Sequence, residues 1–349
     1  MNNPLISIVC PLYNKEEYIL QTIKSVAEQT SINWELLIID DGSTDHSIQI
    51  AQSFMNVHSK YNIKLFHRSD FKKNKGASVC RNIGVDKASA NFILFLDADD
   101  TLTKTCIENR MNFVNKYPNY DYYIFKVADY KHGKVMQKNL FLKLKRKFSY
   151  YFAKNKRHYY LKRFLKYDLP WQTSTLLWSK KALHTIDGFN EDFQRLQDPE
   201  IHTRLLLEKE LKFKKAPQNY DVCHVKDDEV HDKSNFLFYQ KRVGSIAFFV
   251  KTFIPLLEDH TPEISLKWLQ GYLLAAEKMV QKDKHSQEDK LKRKNKKLLN
   301  DLYSDQLVKK ITSLSYFNFL KYWSKSRKNY FLSKLKYPTL IFLIYKARL

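Results

Sequence analysis

Over the first 130 positions, short aliphatic and β-branched runs alternate with segments of helical period. Residues 5–10 (LISIVC), 34–39 (WELLII), 63–66 (IKLF) and 92–96 (FILFL) are nearly continuously apolar, as buried strands are. Between them, residues 16–29, 44–55 and 76–87 carry apolar side chains at helical spacing, and Ser43 or Thr44 is placed to cap the second of these. Strands with two apolar faces, separated by helices, predict an α/β fold with a mostly parallel sheet covered on both sides. Ligands of such sheets bind beyond the carboxyl ends of the strands. Those ends here carry Pro11-Leu12-Tyr13-Asn14, Asp40-Asp41-Gly42-Ser43 and Asp97-Ala98-Asp99-Asp100, so one polar, acidic rim is the candidate site.

Beyond residue 130 the pattern changes. Residues 131–170 mix basic and aromatic side chains, and residues 171–235 return to a mixed composition with a helix expected over 199–209. From residue 236 the chain reads as helices, with helical period over 265–281 and 286–311. There is no internal repeat. The expected organisation is an α/β domain over 1–235 and a basic helical region over 236–349.

Composition narrows the class. A chain of 349 residues with 44% hydrophobic and 14% aromatic content can bury a real core. No apolar run approaches the ~20 residues that span a bilayer, and the N-terminus lacks the pattern of a secretory signal. Cys10, Cys80, Cys106 and Cys223 are widely spaced with no CxxC pair, which excludes a disulfide framework or zinc ribbon and suits a reducing cytoplasm. The formal net charge of +23 is unevenly spread: −1 over 1–130, +12 over 131–170, −2 over 171–240 and +14 over 241–349. The two basic stretches must therefore serve a different purpose from the rest.

The rim residues suggest chemistry. Carboxylates two apart at a strand end, as in Asp97 and Asp99, can face one hard divalent cation and leave it open to phosphate oxygens. The same acids would also suit the start of a following helix, with Asp100 or Thr101 capping. Asp40-Asp41-Gly42-Ser43 offers acceptors to a base N–H or a ribose hydroxyl, or else forms an Asp-Gly turn. Asn74-Lys75-Gly76-Ala77-Ser78, with Arg81, opens a helix whose free N–H groups suit an anion. Neither GxxxxGK[ST] nor GxGxxG occurs, which removes the P-loop and dinucleotide readings.

Taken in order, PLISIVCPLYNKEEYILQTIKSVAEQ, WELLIIDDGSTD, NKGASVCRNIGVDKASANFILFLDADD and then GFNE with Gln197-Asp198 resemble the family 2 glycosyltransferases of the GT-A fold. The resemblance spans about residues 4–210. It implies a GT-A nucleotide-sugar-binding domain followed by a mainly helical C-terminal region. It also implies an inverting, metal-dependent transfer from a nucleotide-sugar, most often a UDP-sugar, to a hydroxyl of a lipid-linked or surface glycan. By the same resemblance Pro11, Tyr13, Asn14 and Asp41 frame base and ribose, Lys75 and Arg81 contact the donor, and Asp97 and Asp99 form the DxD that binds Mn2+ or Mg2+. Asp198 falls at the family's catalytic base, although Gln197 stands where Glu is commoner. His224 is the candidate late metal ligand, with His231 as the other choice. The bottom-up chemistry agrees: transfer to a hydroxyl needs a base, and a departing diphosphate needs charge stabilisation.

The basic-aromatic segment 131–170 lies between the DxD and the base, on the expected acceptor side. It suits an anionic membrane surface or a polyanionic glycan, and with TLIFLIYKARL at the C-terminus it implies a peripheral position on the inner membrane face. Residues 236–349 suit oligomer packing equally. No helix-turn-helix, zinc-finger or RNA-recognition signature supports nucleic acid. A GT-A-like binding module without catalysis is the alternative function, and a sugar-phosphate nucleotidyltransferase fits poorly because PLYNKEE replaces the Gly-rich loop that chemistry expects.

Overall fold

In a computed structural model, residues 5–131, 134–135, 149–217, 220–225, 236–259, 266–282, 297, 299–306 and 308–309 are described. Two compact units emerge, Met1–Phe249 and Val250–Leu349.

The first unit is built on a seven-stranded sheet. In chain order its strands are β1 (Ile6–Leu12), β2 (Trp34–Asp40), β3 (Ile63–His67), β4 (Phe92–Phe95), β6 (Tyr122–Ile124), β9 (Leu176–Ser179) and β10 (Phe213–Lys215). They lie side by side as β10-β6-β9-β4-β1-β2-β3. Every pair is parallel except those of β9, which runs antiparallel to both β4 and β6. The predicted mostly parallel sheet is thus present, and the carboxyl ends of β1, β2, β4, β6 and β10 share one rim. A smaller sheet, ordered β5-β11-β7-β8, sits beside it, with β5 (Asp100–Leu102), β7 (Val127–Lys131), β8 (Lys134–Val135) and β11 (Val222–Val225).

Burial explains why these residues form strands. All seven residues of β2 are buried, as are six of the seven in β1. Helices α1 (Ile19–Ala27), α2 (Ser47–Val57) and α3 (Ala77–Lys87) cover the sheet. Gly84 in α3 is what lets that helix lie flat on β1: a Cβ there would come within 2.2 Å of a Val9 methyl. The one fully buried acid of β2, Glu35, accepts from Ser7 Oγ at 2.6 Å and from the backbone N–H and hydroxyl of Ser89, so its burial is compensated.

Two local expectations need correction. Neither Ser43 nor Thr44 caps α2, which starts later; Asp45 accepts from the Ser47 N–H at 3.0 Å, while Ser43 Oγ is taken by the Asn14 N–H. Asp100 does not cap the next helix either. It begins β5, and α4 starts only at Cys106 and runs to Lys116.

The second half of the unit adds α5 (Lys156–Leu165), α6 (Lys180–Thr185), α7 (Gln197–Leu207) and the start of α8 (Phe236–Glu258). A fully buried Arg110 on α4 locks the two sheets together. It grips Asp221 with two bonds at 2.8 and 2.9 Å and donates to the carbonyls of Ser174 and Leu176. The described part of the second unit is helical, including α9 (Gln270–Lys282), in keeping with the expected helical C-terminal region. His231, most of 286–311 and the whole of 310–349 lie outside the described residues.

Candidate active site

The rim is assembled from four loops that brace one another. Asn14, in a left-handed backbone conformation, donates its N–H to Ser43 Oγ and accepts the Thr44 N–H on its side chain at 2.8 Å. The loop after β1 is thereby zipped to the loop after β2. The neighbouring Tyr13 ring is exposed, and the Lys75 ammonium sits 3.6 Å from its centroid. Pro11 lies within β1 just before this loop.

The two adjacent acids after β2 divide their work. Asp40 closes the turn, accepting from the Gly42 and Ser43 N–H groups at 2.9 and 3.0 Å, with Gly42 at φ +86°. Asp41 faces the rim, where Arg68 Nε ion-pairs with it at 2.7 Å and the Gly76 N–H donates to it at 3.1 Å. That second bond uses the backbone just before α3, so the helix start is already satisfied by a protein carboxylate.

At the end of β4, three acids each hold a different base. Arg81 Nη2 donates to Asp97 at 2.7 Å, Lys15 Nζ contacts Asp99 at 2.6 Å, and His224 Nδ1 meets Asp100 at 2.8 Å. The last contact follows from register, because β11 pairs antiparallel with β5 and sets His224 opposite Asp100. Burial raises the Asp100 carboxyl, and the same hydrogen bond raises His224. Beneath them the Cys10 thiol is pushed up by burial and then by the charges of Asp97, Asp99 and Asp100, a sign of how negative this end of β4 is.

Asp198 enters from α7. It is partly buried, and Thr173 Oγ1 donates to its Oδ1. Desolvation raises its pKa; the Thr173 bond and the Arg81 charge oppose that rise. Arg81 is the bridge of the whole site. Its Nη1 donates to Gln197 Oε1 at 2.8 Å while Nη2 holds Asp97, so the end of β4 and the start of α7 are tied through one buried guanidinium. The preceding GFNE loop is fixed to α3 by Asn82, which exchanges two hydrogen bonds with the Phe189 backbone and donates to Glu191.

The oxygen-rich set suits a hard divalent cation such as Mg2+ or Mn2+. Among the described residues, no three His, Cys, Asp or Glu side chains converge closely enough to hold an ion as they stand. Asp97 and Asp99 are turned to Arg81 and Lys15 instead. The donor chemistry fits, and Lys15, on a flexible stem, already supplies a positive charge at Asp99.

The chain matches the family model described as Glycosyl transferase family 2 over residues 7–183, about half of its length. It belongs to glycosyl transferase family 2. An uncharacterized glycosyltransferase of Haemophilus influenzae is 43% identical over 114 residues, covering 33% of this chain and 44% of that protein. A putative teichuronic acid biosynthesis glycosyltransferase of Bacillus subtilis, TuaG, is 34% identical over 111 residues, covering 32% of this chain and 42% of that protein. The matched stretch thus spans under half of these relatives. Among solved structures, S. aureus TarS 1-349 in complex with UDP-GlcNAc superposes with a TM-score of 0.59 at 18% identity, covering 88% of this chain and 83% of that one. That likeness establishes a shared GT-A fold.

The family 2 match ends before Asp198 and His224, whose placement rests on geometry. The structure gathers Asp41, Lys75, Arg81, Asp97, Asp99, Asp198 and His224 on one rim and gives Asn14 to loop bracing. Lys15, Arg68 and Thr173 were missed by sequence reading. Lys15 directly follows the quoted PLYN run; Arg68 and Thr173 sit in no motif and are found only through the fold.

Proposed function

We propose that this family 2 chain is an inverting glycosyltransferase that moves a sugar from a UDP-sugar to a hydroxyl of a growing surface glycan. On this reading residues 1–235 form the catalytic domain, and the enzyme works peripherally at the inner membrane face. The observation that carries the reading is the Arg81 bridge, which joins the Asp97 end of β4 to the helix start bearing Asp198. The donor diphosphate and the acceptor hydroxyl would then meet across one guanidinium.

Asp198 acts as the general base. Its desolvated carboxyl has a raised pKa, which makes it a better proton acceptor, and Thr173 fixes its orientation. As the acceptor O–H loses its proton to Asp198, that oxygen bonds to the anomeric carbon and the bond from that carbon to the diphosphate oxygen breaks. A single displacement with one base inverts the configuration. Asp41 receives the base or ribose, and Tyr13 with Lys75 borders the nucleotide. Asp97, Asp99 and His224 would hold Mn2+ or Mg2+, which when bound neutralises charge on the departing diphosphate.

The UDP preference draws support from TarS, which was solved with UDP-GlcNAc, and the surface-glycan acceptor from TuaG. The exposed Tyr151 and Phe152, set among lysines and arginines, support contact with an anionic membrane; no helix among the described residues is long and apolar enough to cross one. Calorimetric titration with UDP, GDP and CMP, each with and without Mn2+, tests the reading. Mn2+-dependent UDP binding that is lost in Asp99→Ala is expected. Equal or absent binding of all three nucleotides would overturn it.

A further inference from the structure

The backbone of Lys15 is pinned at both of its polar groups. Its N–H donates to Ser47 Oγ at 2.7 Å, and its carbonyl accepts the N–H groups of Tyr18 and Ile19 at 3.0 and 2.9 Å. Helix α1, which begins there, is docked on the acidic turn that follows β4. The buried Thr22 Oγ1 lies 2.9 Å from the Ala98 carbonyl oxygen and 2.8 Å from that of Asp100, and Ser25 Oγ accepts the Leu102 N–H at 3.1 Å. The backbone that carries Lys15 and the turn that carries Asp99 are thus parts of one braced assembly.

From that backbone the ammonium reaches Asp99 Oδ2 at 2.6 Å and stands 5.6 Å from the centre of the Tyr18 ring. The two side chains are 28% and 24% exposed, so a solute can reach the pair. Ion pairs open to water add little to folding. The charge around this one gives it a use. Asp97 and Asp100 belong to the same short turn, and a bare Asp99 would add a third carboxylate to it. Like charges so close repel, and a cation at Asp99 relieves the repulsion. The ammonium is tethered on its own side chain, whereas a divalent ion arrives from solution, so the two compete for the Asp99 carboxylate.

Competition alone would make Lys15 an obstacle to the ion. A nucleoside diphosphate changes the balance, because it brings anionic oxygens to which a displaced ammonium can turn. A lysine ammonium carries three donors on a flexible stem, which suits such an exchange. We propose that Lys15 is a donor-binding residue that changes partners: its ammonium holds Asp99 in the free protein and passes to a phosphate oxygen when a nucleoside diphosphate binds. The inference rests on the glycosyltransferase reading and adds a residue to its donor site. Asp99 is thereby released for the divalent ion, and the chain itself supplies a positive charge to the departing diphosphate. Arg81 is not placed to exchange in this way, because it is buried and tied to both Asp97 and Gln197.

The test uses the full chain as wild type, Lys15→Gln and Lys15→Met, the last keeping an apolar stem beside Tyr18. Calorimetry measures the affinity of each protein for Mn2+ alone, for UDP in the presence of Mn2+, and for uridine. Two shifts of opposite sign are expected. Without nucleotide, both variants should bind Mn2+ several-fold more tightly than wild type, because no ammonium contends for Asp99. With Mn2+ present they should bind UDP about tenfold more weakly, the usual worth of a hydrogen bond to a charged group. Uridine affinity, which reports the base pocket, should be the same in all three proteins. UDP binding that is unchanged or tighter in the variants overturns the proposal, since Lys15 would then serve Asp99 alone. Mn2+ affinity that fails to rise overturns it as well, and a fall in all the affinities together would mark Lys15 as a structural residue. In each of these cases Mn2+-dependent UDP binding by the wild type leaves the functional reading standing. A wild type that ignores UDP overturns both.

Discussion

The two flanks of the rim hold their charged side chains in different ways. On the donor flank, Asp41, Asp97 and Asp99 are held by Arg68, Arg81 and Lys15 respectively, each within 2.7 Å. On the flank of Tyr150 and Tyr160, Lys156 and Lys215 are held against the tyrosine rings, and Arg163 pairs with Asp168 at 2.8 Å. A flank whose charges are already matched is preorganised, and a ligand entering it must exchange partners one for one. Lysines that lean on ring faces are held by weaker contacts, which an entering ligand displaces at less cost.

Removing the base tests the comparison at its junction. Asp198→Asn keeps the size of the side chain and the Thr173 contact, and abolishes proton acceptance. Transfer should fall roughly a hundred- to ten-thousandfold, the span that general base catalysis supplies, with UDP affinity unchanged by calorimetry. A smaller loss would mean the base is elsewhere. The donor flank should be nearly indifferent to this change, since Asp198 acts on Arg81 and Asp97 there only through their charges.

Arg110→Met probes a buried pair away from either flank. Arg110 has no exposed side-chain surface and satisfies Asp221 twice, so removing it strands a carboxylate in the interior. Such losses cost about 3–5 kcal/mol. Thermal unfolding should show the drop, and loss of transfer should follow only from unfolding.

How much of this was legible beforehand depends on the kind of contact. The parallel sheet and its rim were readable because strands buried on both faces leave continuous apolar runs, as LISIVC and WELLII do. The acids at strand ends were readable as a group, yet not their division of labour: only the fold shows that Asp40 closes a turn while Asp41 faces Arg68. Strand β5 was missed because a three-residue strand carries no periodicity, and Asp100 then passed for a helix cap. Thr173 and Lys215 could not be found from the chain at all, since their partners lie 25 and 55 positions away and no motif marks them.

His202 sharpens the contrast between the flanks in a different way. It lies one turn beyond Asp198 on α7, wholly buried, stacked at 5.5 Å on Trp178 and close to Phe164, with neither ring nitrogen hydrogen-bonded. Burial pushes its pKa down to about 3. In the unfolded chain it titrates near about 6.5, so between these values the unfolded state binds the extra proton. Stability is therefore intact above that unfolded value and is lost as pH falls below it, by at most about 1.4 kcal/mol per unit from this group. His202→Phe should flatten that slope over the pH 4–6 range in chemical denaturation and raise stability at pH 5. An unchanged slope would mean the imidazole has found a partner or solvent.

The smallest effect is expected at the surface, and its asymmetry is informative. Lys181 reaches Asp121 at 3.0 Å, but its side chain is 76% exposed, so Lys181→Ala should change stability by less than about 1 kcal/mol. Asp121→Ala should cost more, because the carboxylate also accepts the Lys212 N–H at 2.8 Å and so fastens the segment leading into β10. The two variants, unfolded in the same denaturant series, separate charge pairing from backbone anchoring. If both proved equally mild, the approach to β10 would not depend on this anchor. The position of Lys215 at the end of that strand would then be set by its pairing with β6 alone.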